Sequence, residues 1–290
     1  MDNVYSLAIG ANISFAIGSL IYADYAKRFH ARWMNFFKAV VAVIAFGLFF
    51  LYSFDFDFFN TKQFLGLFLS GFIGLGLGDI FLLYAFAHFG AGRTLMVFGF
   101  QPVLLGVMSY FFFGQEVTLT QIFSISLFIG CLLTISHEHY RVNRKWEFIG
   151  LLAAIAGVFL DGAGVVLTRY AFDLEPRLTS MEGNFYRCLG AVASFIFVKM
   201  KYDIDFMKFN RMLDRKQWVV VIIGSLLGTF VSLGFYLKAV QTGHLASISG
   251  IAITGSLFSS MVECVVEKKW PSLHLVFAFS LFLVGAFFLF

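Results

Sequence analysis

Four charged side chains lie more than a turn inside long apolar runs of this sequence, Lys38, Asp79, Asp161 and Arg187. An ionised group at the centre of a membrane helix costs about 2.5–3.5 kcal/mol on the insertion scale, so each of these needs a partner or a task. Asp161 is flanked by Gly157, Gly162 and Gly164, which let a backbone or a ligand come close. It can anchor a substrate amine, accept a proton, or serve as a hydrogen-bonded pin between helices. Asp79 ends a glycine-rich run and is expected further from the midplane, where water reaches. Lys38 and Arg187 sit about one and a half turns inside their runs, close enough to an end for long stems to snorkel to the interface. They read either as structural cations there or as a clamp for a carboxylate or phosphate. Asn12, Gln101, Tyr84 and Tyr236 are candidate cavity-lining groups, single hydrogen-bonded helix contacts being the alternative. Tyr186, Phe98 and Phe235 are candidates for stacking on an apolar or aromatic solute.

Other chemistries lack their residues. Cys131, Cys188 and Cys264 are odd in number, each within an apolar run, and show neither disulfide nor zinc spacing. There is no His-rich cluster and no Gly-x-Ser-x-Gly elbow, and His137 and His139 fall in a charged connection. No cofactor and no metal site are expected, and an embedded enzyme stays an alternative without a motif. A net charge of +4 does not point to nucleic acid, because Lys and Arg fall in short clusters between apolar stretches rather than in a basic domain.

The elements that must hold these groups are transmembrane helices. Of the 290 residues, 60% are hydrophobic and 13% charged, against about 45–50% and about 25% in soluble domains. Stretches near the twenty residues that cross about 30 Å of hydrocarbon recur along the chain. Ten spans are expected: Val4 to Tyr22, Trp33 to Tyr52, Phe64 to Phe86, Thr94 to Phe113, Gln121 to Ser136, Phe148 to Tyr170, Met181 to Val198, Trp218 to Val240, Ala246 to Val266 and Leu273 to Phe290. The seventh is weakest, since it carries Glu182 and Arg187. The first span has no leader-like cleavage pattern and is expected to be retained. No attached soluble domain is expected, which disfavours the further alternative of a non-transporting scaffold or sensor.

The sequence repeats itself. Asn35, Phe36, Phe37, Lys38 with Ala42, Val43 and Phe46 match Asn184, Phe185, Tyr186, Arg187 with Ala191, Val192 and Phe195 without a gap. In the same order Tyr25 and Ala26 match Tyr170 and Ala171, Gly74 and Gly78 match Gly228 and Ser232, Glu116 matches Glu267, and Ser126 to Phe128 match Ser280 to Phe282. The expected organisation is a first five-helix repeat at 1–136, a linker at 137–147 and a second repeat at 148–290. An odd number of spans per repeat inverts the second copy, the plan of many secondary transporters, whose substrate site lies at the repeat interface near the midplane. Of the 21 Lys and Arg, Lys38 and Arg187 lie more than a turn inside spans, Lys62 and Arg177, with Arg169 and Lys238 at span ends, lie on one side, and the remaining fifteen lie on the other. By the positive-inside rule that richer side is cytoplasmic and both termini are outside. Small residues at Gly66, Ser70, Gly74 and Gly78, and again at Gly224, Gly228 and Ser232, form stripes that let helices pack closely.

These residues resemble the drug/metabolite transporter superfamily, in its ten-helix EamA-like branch, over essentially the whole chain. The likeness rests on the Gly18-Ser19 step, the basic Lys38 and Arg187 early in spans two and seven, Pro102 in span four, the Gly114-Gln115-Glu116 end of that span, and Gly130 and Gly285 in spans five and ten. Ile17 stands where members commonly have Trp, and Thr254 and Gly255 where they often have Pro. The resemblance implies export or exchange of small metabolites, amino acids among them, without a bound cofactor. It also implies termini inside, against the charge count, which is kept here. The expected protein is an all-α membrane protein of two inverted five-helix repeats in a bacterial inner membrane. It would move a small solute by alternating access, with proton coupling one option, through a cavity formed mainly by spans one to four and six to nine.

Overall fold

The computed structural model describes residues 2–53, 61–89, 94, 97–143, 148–174, 177–201, 211–251, 255, 257–258, 261, 264, 268 and 270–289. Thr254, Glu267, Phe290 and much of the later part of the ninth expected span lie outside them. The described residues form helices and short connections: α1 (Asp2–Arg28), α2 (Ala31–Ser53), α3 (61–89), α4 (Gln101–Phe113), α5 (Leu119–Asn143), α6 (Phe148–Leu174), α7 (Ser180–Lys201), α8 (Arg215–Thr242), α9 (Leu245–Gly250) and α10 (Leu273–Leu289). Five of these, α1, α2, α3, α6 and α8, are long and apolar enough to cross a membrane, and shorter apolar helices occur in α4, α5 and α10. Helix α5 continues to Asn143, so 137–143 of the expected linker is helical.

Large apolar residues crowd the outside. Leu48, Phe111, Ile149 and Phe287 are 67%, 76%, 68% and 79% exposed, while Ala8, Ala42, Ser19, Ser70 and Ser194 are fully buried. That distribution suits a hydrocarbon solvent, in which bulk is tolerated outside and small residues let helix backbones touch inside. A Cβ on Gly71 would collide with the Arg187 carbonyl, and one on Gly190 with the Phe68 carbonyl, so α3 and α7 meet backbone to backbone. Gly18 against Gly228 joins α1 to α8, and Gly74 against Gly164 joins α3 to α6, in the same way. The small-residue stripes are therefore packing seams. Helices α5 and α10 lie together, Phe128 stacking on Phe282 at 5.5 Å.

Both stripe-bearing helices are interrupted at matched places. Gly71–Gly78 of α3 and Leu226–Val231 of α8 are π-helical, a widened winding that occurs frequently at functional sites. The matched asparagines serve these helices: Asn35 Nδ2 donates to the carbonyls of Leu75 (3.1 Å) and Gly76 (2.9 Å), and Asn184 Nδ2 to that of Leu233 (2.8 Å).

Helix ends account for two features that the sequence leaves open. Glu182, the acid that weakens the seventh span, sits in the first turn of α7. Its carboxylate accepts from the Thr179 amide (2.9 Å) while Thr179 Oγ1 accepts from the Glu182 amide (3.2 Å). This is a capping box, which satisfies two N-terminal donors that the helix cannot. Gly114 takes φ +61° at the end of α4, where its amide reaches the Tyr110 carbonyl and the Gln115 amide reaches that of Ser109. A left-handed residue there favours glycine.

Candidate functional site

Residues of both π segments help to wall a cavity of about 110 Å³ between the helices. Asn12 and Phe15 of α1, Lys38 of α2, Leu75 and Asp79 of α3, Phe98, Gln101 of α4, Asp161 of α6, Thr229, Ser232 and Tyr236 of α8, and Gly255 are among its walls. Helix α7 contributes no lining residue among those described. The structure thus brings together six of the nine sequence candidates, Asn12, Lys38, Asp79, Gln101, Asp161 and Tyr236.

The acids at this cavity are held in different ways. Asp79 is buried and accepts from Lys38 Nζ at 2.5 Å. The same ammonium lies 5.2 Å from the centre of the Tyr22 ring, whose hydroxyl is 2.6 Å from Thr229 Oγ1. Lys38 therefore does not snorkel, and Asp79 is buried against it at the cavity wall. The ion pair neutralises both, and taking either away would strand a buried charge at a cost of about 3–5 kcal/mol. Asp161 accepts from Gln101 Nε2 at 2.5 Å. Among the described residues no Lys or Arg nitrogen comes within 4.0 Å of it.

Arg187 does not snorkel either. It is 1% exposed, turned into the bundle just outside the cavity wall, and its Nε donates to Ser70 Oγ at 3.0 Å. Ser70 is bound in turn to the Gly164 carbonyl and to Thr168 Oγ1, each at 2.6 Å. One terminal guanidinium nitrogen, Nη1, has no hydrogen-bond partner among the described residues.

Two candidates point elsewhere. Tyr84 stacks on His88 at 4.1 Å and lines a separate crevice on the outer flank. Tyr186 packs edge-on against Phe64 (5.2 Å) and Phe50 (5.8 Å), outside the cavity. Phe235 is 40% exposed on the outside of α8, whereas Phe98 does line the cavity. Asn12 reaches the wall with its amide donating to the Ala8 carbonyl at 2.8 Å. Tyr22, Thr229 and Ser70 are not among the site residues expected from the sequence. Ser70 belongs to one small-residue stripe and Thr229 adjoins Gly228 of the other, and that position is the signal that could have found them. Among the described residues no three of His, Cys, Asp and Glu come together as a metal would need.

A bundle of apolar helices with large apolar side chains outside and a small polar cavity between them defines an integral multi-pass membrane protein. The EamA-like transporter family matches residues 3–136 and again 148–290. The chain belongs to that family, in two repeats, and is a membrane transporter of small solutes. A solved crystal structure described only as that of a protein superposes on 99% of this chain and 96% of its own, with a TM-score of 0.74 at 14% identity. That likeness concerns the fold alone. No curated protein matches the chain in sequence.

Proposed function

We infer that the cavity between the π segments takes the ammonium group of a compact metabolite, an amino acid or related amine, and that Asp161 is its anchor. One observation carries this reading: Asp161 faces the cavity with an amide donor and, among the described residues, no Lys or Arg nitrogen within 4.0 Å, whereas the other acid there is already paired with Lys38. An ammonium group would supply the missing charge. The cavity's roughly 110 Å³ is well below the roughly 300–1,000 Å³ of drug-sized pockets, which favours a small solute or the charged end of a larger one. Transport would proceed by alternating access of two inverted halves rocking on the glycine seams. Asp161 would exchange its charge partner between substrate and proton. The charge asymmetry of the connections supports termini outside, in a bacterial inner membrane.

Uptake and counterflow in proteoliposomes with radiolabelled amino acids, aliphatic amines, nucleosides and dicarboxylates test the substrate class. Saturable transport confined to ammonium-bearing solutes is expected. Transport of dicarboxylates alone would overturn the assignment. The second reading, Asp161 as a pin, rests on the same Gln101 bond, which ties α4 to α6. It requires that Asn at position 161 leave transport intact.

A further inference from the structure

We propose that Arg169 is a latch that holds one end of the transport path shut, and that its bonds to α8 must break for that end to open. The proposal rests on the alternating-access reading and is independent of the role given to Asp161.

The end concerned is the one where α1 begins and α8 finishes, since a Cβ on Gly243 would come 2.7 Å from Val4 Cγ1. It is sealed by apolar packing. Ala8 lies beyond the cavity residue Ala11 on α1, Val165 and Val166 beyond Asp161 on α6, and Val240 beyond Tyr236 on α8, all toward this end. These four belong to one buried cluster, which Leu245 and Ile248 of α9 complete.

Arg169 stands one turn past Val165, over the edge of that seal. Its side chain is 16% exposed. Nη1 donates to the carbonyls of Val240 and Gly243, each at 3.0 Å, and Nε to Asp173 Oδ1 at 3.1 Å. The last carbonyls of a helix have no partner within it, and a cation near them is favoured by the helix dipole. The guanidinium of α6 thus caps the finish of α8 and ties the corner between α8 and α9 down over the apolar seal.

At the matched positions the first repeat cannot build the same device. The alignment of Tyr25 with Tyr170 sets Asp24 opposite Arg169 and Arg28 opposite Asp173, so the ion pair is kept with its charges exchanged. Asp24 accepts from Arg28 of its own helix at 2.7 Å, and the two side chains are 45% and 59% exposed. An ionised carboxylate only accepts hydrogen bonds, so Asp24 cannot donate to the carbonyls of a helix end. If the pairs merely solvated helix ends, either order of charge would serve. The order that allows a bond across to another helix is the one found at the sealed end.

The test is a pulsed electron resonance distance measurement on the full chain in lipid nanodiscs. Spin labels are carried on Leu174→Cys and Thr242→Cys, exposed positions on α6 and α8 at this end, with Cys131, Cys188 and Cys264 replaced by alanine. Arg169→Met should raise the population at longer separation about tenfold, the equivalent of losing a single hydrogen bond to a charged group. Arg169→Lys, which keeps the charge without the fork, should give an intermediate population, and it carries the test if the Met variant is not recovered folded. Lys238→Met, at an exposed cation on the same end of α8, should leave the distribution unchanged. A second label pair, Lys27→Cys with Arg215→Cys at the opposite end, separates the two readings. Narrowing there as the first pair widens is what alternating access requires, and its absence would count against alternating access while leaving the latch standing. Lower thermal stability with unchanged separations in both Arg169 variants, or equal widening in Lys238→Met, would overturn the latch.

Discussion

The two repeats place a cation at the same point and then treat it differently. In the first, Lys38 of α2 pairs with Asp79 of α3 at 2.5 Å. In the second, Arg187 occupies the matching position of α7, but the register that aligns Gly74 with Gly228 puts Leu233 where the first repeat has Asp79. Arg187 instead reaches across to Ser70 of the first repeat. The acid of the second half stands on α6, as Asp161, where the first half has Ala16 in α1 by the match of Tyr25 with Tyr170. A duplicated frame has one half closed by its own ion pair and the other left with an acid and a guanidinium apart. In the proposed function the closed pair is structural, and the separated charges are where a solute enters the balance.

The largest effect should come from opening the closed pair. Lys38→Met is expected to destabilise the protein by about 3–5 kcal/mol, because Asp79 is then buried without a counter-charge. Lys38→Met with Asp79→Leu should recover most of that loss. Unfolding in mixed micelles at increasing denaturing detergent measures both. If the single variant cost no more than the double, the pair would not be holding α2 to α3.

Asp161 should behave in the opposite manner. Asp161→Asn keeps the shape and an acceptor for Gln101, so normal abundance and folding are expected. Transport should fall about 30-fold or more, the equivalent of ~2 kcal/mol for losing one partner of a desolvated charge contact. Asp161→Leu removes the Gln101 contact as well and separates a lost charge from a lost pin. Full transport by the Asn variant would make the two halves alike, both structural.

How far this was legible depends on range. The apolar spans and glycine seams are local patterns: five spans survive as helices long and apolar enough to cross a membrane, and the seams as close contacts, while the duplication survives as two matches to one family. A charge within a span demands a partner, but the partner of Lys38 lies 41 residues away, so snorkelling and pairing could not be told apart by local reading. Tyr84 failed for a different reason. The π segment Gly71–Gly78 winds more residues into its turns than an α-helix does, and each residue so added rotates the remainder of the helix by about 100°. The face on which Tyr84 falls therefore cannot be counted from the start of α3. Tyr186 lies about 100° round α7 from Arg187 and packs against Phe64 and Phe50 instead.

Arg187 tests whether the second cation does more than pack. Arg187→Ala removes a charged hydrogen bond to Ser70, worth about 1.5–3 kcal/mol, and also the positive field beside Asp161. Arg187→Lys keeps the charge without the fork. Transport should therefore suffer more in the Ala than in the Lys variant, by about tenfold. Equal, parent-like transport by both would reduce Arg187 to a packing residue, in which case Ser70→Ala should be equally silent.

The smallest expected effect concerns the matched asparagines, and it compares the halves with the charges left alone. Asn35 donates two hydrogen bonds to carbonyls within the π segment of α3, and Asn184 donates one to α8, just beyond its π segment. Both side-chain oxygens are buried without a hydrogen-bond partner among the described residues, so each amide is placed for what it donates. Carbonyls left unpaired in a dry interior cost about 1–3 kcal/mol each, although a helix in lipid can relax to cover part of that. Asn35→Ala should consequently lower stability by about 2 kcal/mol and Asn184→Ala by about 1 kcal/mol. Amide exchange at residues 75–80 and 229–234 should rise in the respective variant and not in the other. A π segment that merely packs would show no local rise. A larger loss in Asn184→Ala than in Asn35→Ala would reverse the comparison, making the second half the one whose widened helix is held by its asparagine.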